Sequence, residues 1–262
     1  MTEASQPCLL INVDPNGVKT LTLNRPEAFN ALSEELLAEL KKALDTTASE
    51  KAVRVVILDA RGKAFCAGHD LKQMRATPSL DYYQKLFERC TEVMLALQSL
   101  SVPVIAKVQG LATAAGCQLV AMCDLAVASN TARFAVSGVN MGLFCATPSV
   151  ALSRNVGRKA AFEMLVTGAF ISAEEARQQG LVNRVAEPEM LDEAIYQLVQ
   201  SILAKPRVAV AMGKQLFYRQ LEMSIADAYS NAAQTMACNM MEHVALEGVQ
   251  AFIDKRTPDW RS

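Results

Sequence analysis

Two stretches of this 262-residue chain place small residues between an apolar run and a helix, "AFCAGHDL" at 64–71 and "GLATAAGCQL" at 110–119. Small residues let a ligand approach the backbone closely, and N–H groups at or near a helix start are free to meet negative charge. Two such groups converging on one point would form an oxyanion hole, able to hold charge on a carbonyl oxygen. The plainer alternative is two glycine-containing turns ahead of two ordinary helices. Gln118, alone among apolar neighbours, is either a core amide satisfied by its surroundings or a group that faces a ligand.

Other chemistries lack their residues. There is no G-x-S-x-G, no P-loop, no H-E-x-x-H, and no G-x-G-x-x-G opening a helix after a strand. Only His69 and His243 could supply imidazole, so no histidine-rich metal site is expected, and His243 on a late helix reads as structural or exposed. The seven cysteines are scattered with no C-x-x-C pair, which predicts free thiols in a reducing cytoplasm rather than a disulfide frame. A net charge of −1 gives no electrostatic case for nucleic acid or an anionic membrane, although "DKRTPDWRS" could meet a phosphate. The longest apolar span, around 111–129, is broken by Gln118 and Asp124, so no membrane helix is expected. The opening "MTEASQPCLL" lacks a basic region followed by an apolar stretch, so no secretory signal is expected either.

The elements around these junctions read as α/β. "CLLINVD" and "VKTLTLN" predict two strands around a "PNG" turn. Ser33 reads as the cap of a helix whose apolar stripe is Leu36, Leu37, Leu40 and Leu44. Strands at "AVRVVILDA", "PVIAKVQG" and "DLAVAS" then alternate with a loop at 61–71, a helix over about 79–100 and a short helix in "TAAGCQLVAMC". Ser172 and Glu175 have capping-box spacing, and Gly180 suits the end of that helix. After the short strand "LVNRVA", helices are expected over 189–204, 207–221 and 225–246, followed by a final turn through "EGVQAFIDKR".

The run of "AFCAGHDL", "PVIAKVQG", "AAGCQLVAMCDLAVAS", "RFAVSGVNMGL", "LVTGAFISAEEARQQGLVNRV" and "AFIDKRTPDW" resembles the crotonase superfamily in order and spacing, from "NRPEAFNAL" to the C-terminus. That superfamily includes the enoyl-CoA hydratases and isomerases. With "AGHDL" and "GLFCATP", the chain looks closest to its domain-containing type 3 group. The resemblance implies a crotonase-like spiral of β-β-α units over 1–195 and a C-terminal helical region over 196–262 that builds a homotrimer or a hexamer. It implies an acyl-CoA ligand and no cofactor beyond the CoA moiety. By position, the N–H groups of His69 and Ala115 would hold the thioester oxygen. The CoA nucleotide would lie near Ala28, Ala67, Asp70 and Lys72, with Phe252 and Lys255 of a neighbouring subunit as a late phosphate contact. Pocket walls would come from the 79–100 helix and the region near 140–150.

Hydratases of that superfamily use two glutamates to place a water and pass its protons. Here the matching positions hold Gln118 and Gly138, and neither residue exchanges a proton near neutral pH. Standard hydration is therefore doubtful. Three residues are candidates to compensate. Gln118 can hydrogen-bond a water or a carbonyl. Cys145 could act as nucleophile or base if its pKa were lowered, and otherwise fills the core. The His69 imidazole could act as acid or base. Reactions that need no strong base fit best, such as decarboxylation of a malonyl-type thioester, with isomerisation or thioester hydrolysis next. A non-catalytic acyl-CoA-binding or regulatory protein is the rival reading.

Overall fold

The computed structural model describes residues 6–260, so the start of "MTEASQPCLL" and the last two residues of "DKRTPDWRS" lie outside the described residues. Strands β1 (Leu9–Val13) and β2 (Val18–Leu23) pair antiparallel, with Leu9 opposite Leu23 and Val13 opposite Lys19. Asp14 shapes the turn between them: its Oδ1 accepts the N–H groups of Asn16 and Val18, both at 2.8 Å. Ser33 then caps α1 (Glu34–Ser49), its side chain accepting the Leu36 N–H at 3.2 Å, and the leucine stripe of that helix is buried.

A strand–strand–helix unit now recurs. It runs β3 (Val55–Ala60), β4 (Ala64–Cys66), α2 (Leu71–Ala76) and α3 (Leu80–Ser99). Next come β5 (Val104–Val108), β6 (Leu111–Thr113) and α4 (Ala115–Met122). The third turn is β7 (Leu125–Ser129), β8 (Arg133–Ala135), a 3₁₀ turn at Ser137–Met141, and α5 (Ala146–Asn155). Helix α6 (Arg158–Thr167), strand β9 (Ile171–Ser172), α7 (Ala173–Gln178) and β10 (Arg184–Ala186) close the spiral. Five longer strands and the short β10 build one sheet in the order β1-β2-β3-β5-β7-β10, and four short strands build a second in the order β4-β6-β8-β9. All neighbours are parallel except the β1–β2 and β8–β9 pairs. The expected spiral is present. The second sheet was invisible as strands in the sequence, because runs of two or three residues are too short to show an alternating pattern.

The period of two in the long strands divides the core. Val56, Leu58, Val104 and Ala106 face the main cluster with α1, α3 and α4, whereas Val55, Ile105 and Val127 face the other side. That second face is covered by α8 (Leu191–Leu203) through Leu191, Ile195, Leu198 and Val199. Residue 195, where the expected core ends, lies inside this helix.

Beyond it lie α9 (Arg207–Gln220), α10 (Ile225–Met240) and α11 (His243–Ile253). The expected single helix over 225–246 is interrupted, because Glu242 is extended (φ −68°, ψ 137°) and stands just before a new helix that carries the "EGVQAFI" segment. Helix α9 is fastened by Lys214, whose Nζ donates to the carbonyls of Leu97 and Val102 at 3.0 Å and to Asp124 Oδ2 at 2.7 Å. Asp124 in turn accepts from Tyr218 and from the Val104 N–H, so every arm of this buried ion pair is satisfied. Past that clamp the helices expose large apolar side chains, among them Leu221, Ile225, Tyr229, Met236 and Phe252. No helix among the described residues is long and apolar enough to cross a membrane.

Candidate active site

The two glycine-containing junctions touch. Gly68 has φ 94°, and a Cβ there would lie 2.9 Å from Ala114 Cβ and 3.4 Å from the Ala115 nitrogen, so only glycine allows this approach. Ala114 itself is held at φ 52°, ψ −121°, a region that costs a Cβ-bearing residue about 1–3 kcal/mol. Its N–H donates to the Ala135 carbonyl at 2.9 Å, which ties the strained residue to the neighbouring strand.

Backbone pairing decides where the N–H groups point. Leu32 bridges His69 in parallel: the Leu32 N–H donates to the Gly68 carbonyl at 2.8 Å, and the Asp70 N–H donates to the Leu32 carbonyl at 3.1 Å. Alternation along an extended chain then directs the N–H of His69 itself to the opposite side. Ala115 is the first residue of α4, where a helix has no internal acceptor to offer. Neither N–H donates to any group among the described residues.

Both residues line one cavity of about 200 Å³. Its walls come from Phe87 on α3, from Thr113 on β6, from Gly138, and from the segment Met141–Pro148. No Asp, Glu, Lys or Arg among the described residues lines it. The His69 ring meets Phe87 edge-on at 5.4 Å between centroids, and both ring nitrogens are shielded without a hydrogen-bond partner. Burial pushes the imidazole pKa down to about 4, so the ring is neutral near pH 7.

Position 138 is closed by its own neighbourhood. A Cβ on Gly138 would collide with the Leu143 carbonyl oxygen and come within 2.7 Å of Cys145 Sγ. The Gly138 N–H donates to that sulfur at 3.3 Å. Burial raises the Cys145 thiol above its ordinary value, and the Gly138 N–H pulls it back in part. The sulfur is in the cavity as a protonated thiol, which works against a thiolate role. Cys66, Cys90 and Cys117 are pushed up to about 12 by burial and are core fillers.

The structure therefore gathers Ala67, His69, Ala115, Gly138 and Cys145 around one space. Gln118 lies one turn along α4, 6 % exposed, with its Oε1 unpartnered, and it does not line the cavity. Asp70 works within the protein. Burial would raise its carboxyl, but the Arg25 guanidinium at 3.0 Å and the N–H groups of Gln73 and Lys72 outweigh it and hold the pKa below the usual range. Ala28 ends a 3₁₀ turn, Lys72 is exposed on α2, and Phe252 lines a separate hollow with Trp260 on the C-terminal helices. Lys255 follows α11 at φ 55°. Sequence reasoning missed Thr113 and Ser137, whose hydroxyls meet at 3.1 Å. The available signal was a hydroxyl residue inside each of two otherwise apolar runs, "GLATAAG" and "FAVSG".

A two-sheet β-β-α spiral with two unpaired N–H groups beside an uncharged cavity defines a class, and the chain belongs to the enoyl-CoA hydratase/isomerase family, whose model matches residues 14–262. Within it, the chain is similar to the enoyl-CoA hydratase domain-containing protein 3, mitochondrial, of Rattus norvegicus. The two are 44 % identical over 98 % of this chain and 85 % of that one. The crystal structure of the human protein of that name superposes with a TM-score of 0.93 at 42 % identity, covering 97 % of this chain and all of the other. An enoyl-CoA hydratase structure from Mycobacterium smegmatis shares 66 % identity at a TM-score of 0.97, over 98 % of this chain and 100 % of that one.

Proposed function

We propose that the chain binds an acyl-CoA thioester in this cavity and stabilises its enolate by hydrogen bonds from the His69 and Ala115 N–H groups, without a carboxylate base. The observation that carries the reading is the pair of unpaired N–H groups beside a cavity with no ionised side chain. Two donors placed where charge develops act strongly in a water-poor site, because nothing has to reorganise as the charge forms. The relatives' names supply the ligand class, an acyl thioester of CoA.

Proton handling must then differ from a two-glutamate hydratase. Gln118 has no side-chain group that titrates near neutral pH, Gly138 has no side chain, and Cys145 and His69 are both neutral, so the two carboxylates of standard hydration have no replacement here. Loss of CO2 from a malonyl-type thioester creates the enolate directly, a step that asks only for the oxyanion donors, and water then supplies the proton that returns to carbon. Lys72 is exposed where a CoA phosphate would pass beside Ala28 and Ala67, while Asp70 would act by shaping that loop through Arg25. Assembly into a homotrimer or hexamer would cover the apolar faces of α9–α11 and could bring Phe252 and Lys255 to a neighbour's nucleotide. Seven free cysteines fit a reducing compartment, and the cytoplasm is the proposed location, although the rat relative is called mitochondrial.

The test is titration with saturated, enoyl-, malonyl- and hydroxyacyl-CoAs beside a turnover screen read by mass spectrometry. Binding with turnover of a malonyl-type or isomerisable thioester supports the enzyme. Tight binding without any turnover favours an acyl-CoA-binding protein, and no binding at all ends the reading.

A further inference from the structure

Arg54 and Arg207 meet at a corner of the fold that the cavity does not use. Arg54 stands just before β3, and its Nη2 donates to the carbonyls of Leu203 at 3.3 Å and Lys205 at 2.7 Å, at the end of α8. Arg207, the first residue of α9, reaches the opposite way and donates to the Lys51 carbonyl. These bonds cross between the same two segments, which brings the guanidiniums together. Both line one small depression with Ser101, and no Asp or Glu lines it. Neither arginine enters an ion pair among the described residues. The Ser101 hydroxyl makes no hydrogen bond among them either.

This corner is short of negative charge. The α8 carbonyls offset Arg54, since a cation suits a helix C-terminus. Arg207 sits at the other kind of end. The N-terminus of α9 carries positive partial charge, Pro206 offers no capping side chain, and the first turn holds no acidic residue. Burial, and after it the charge of Arg207, pulls the Arg54 pKa below its ordinary value, so the two cations oppose one another. Each guanidinium has five N–H donors in a rigid fork, and most of them stay uncommitted.

We propose that Arg54, Arg207 and Ser101 form a binding site for a phosphate group, free or carried on a small ester, that locks the α8–α9 corner onto the start of β3. A phosphate dianion matches two cations in charge, and its oxygens can take both forks and the hydroxyl together. A carboxylate brings one charge and two oxygens. The site is separate from the acyl-CoA cavity, which draws on backbone at the C-terminal ends of β4, β6 and β8 and shares no residue with it. It depends on no reading of the reaction.

The experiment titrates the full chain with inorganic phosphate, adenosine 5′-monophosphate and acetate by calorimetry, at an ionic strength held constant with chloride. Each titration is repeated for Arg207→Gln, Arg207→Lys and Ser101→Ala. The expected result is saturable phosphate binding in the wild type that weakens about tenfold or more in Arg207→Gln, the size of one charge-assisted hydrogen bond. Arg207→Lys keeps the charge without the fork and should fall between the two, and Ser101→Ala should lose about threefold. Lys214 still fastens α9 in every variant, and Ser101→Ala keeps the test usable if the Arg207 variants fold poorly. An Arg207-dependent affinity higher for the nucleotide than for inorganic phosphate assigns the site an ester; an equal or lower one assigns it the free ion. No saturable phosphate binding, acetate bound as tightly as phosphate, or affinity unchanged in Arg207→Gln and Ser101→Ala overturns the proposal. An equal loss of butyryl-CoA binding in Arg207→Gln also overturns it, because the arginines would then belong to the acyl-CoA site.

Discussion

Replacing Gly138 by alanine probes the packing that keeps a carboxylate out of this site. The added Cβ would strike the Leu143 carbonyl oxygen and stand 2.7 Å from Cys145 Sγ, where ordinary contacts begin well beyond 3 Å. The backbone has little room to yield. The Leu143 N–H is already bonded to the Gly138 carbonyl at 3.0 Å, and the Gly138 N–H to the sulfur at 3.3 Å. Overpacking of a closed site of this kind costs about 1–3 kcal/mol. In thermal unfolding followed by circular dichroism, each kcal/mol lowers Tm by roughly 2–4 °C for a chain of this size. Removing the sulfur relieves one of the two clashes, so Cys145→Ala added to Gly138→Ala should recover part of the loss, with a coupling of about 1 kcal/mol. The glutamate variant at 138 should be at least as unstable and should not create crotonyl-CoA hydration. A Gly138→Ala protein within about 0.5 kcal/mol of wild type, with no coupling to Cys145, would refute the claim that this loop closes the position.

Three further outcomes follow from the same geometry. His69 has a folded-state pKa depressed to about 4 from an ordinary 6.5, so the unfolded chain takes up a proton first as pH falls. Stability should therefore decline from about pH 6.5 towards pH 4, by on the order of 3 kcal/mol in urea titrations, and His69→Gln should lose that dependence. Gln118→Glu places a carboxyl where the amide Oε1 is buried without a partner, so its pKa should rise. Stability of that variant should fall relative to wild type as pH climbs above the ordinary glutamate range, a trend that denaturant midpoints at pH 4.5 and 7.5 would reveal. Lys214→Ala leaves Asp124 buried without its cation and should cost about 3–5 kcal/mol in equilibrium unfolding; a loss below 1 kcal/mol would show that α9 is fastened by other contacts.

Much of the frame was legible from residue order alone. Ser33, and Ser172 with Glu175, cap helices through contacts within four residues, so their roles show in the sequence and recur in the structure. The long strands announced themselves through apolar runs, and the absence of carboxylates at 118 and 138 is a matter of residue type. The break at Glu242, the β6 and β8 strands and the attachment of α8 to the sheet were not legible, since short runs carry no period and helix faces do not name their partners. The site lies on the same divide. That His69 and Ala115 offer N–H groups is a property of the chain, but the direction of the first is set by Leu32, more than thirty residues away. Likewise the neutrality of the His69 ring, the thiol lodged beside Gly138 and the pairing of Thr113 with Ser137 arise only once distant segments pack. Local sequence specifies which groups exist and which helices they cap. Burial and hydrogen-bond direction depend on what lies across the interface, and tertiary structure alone determines that.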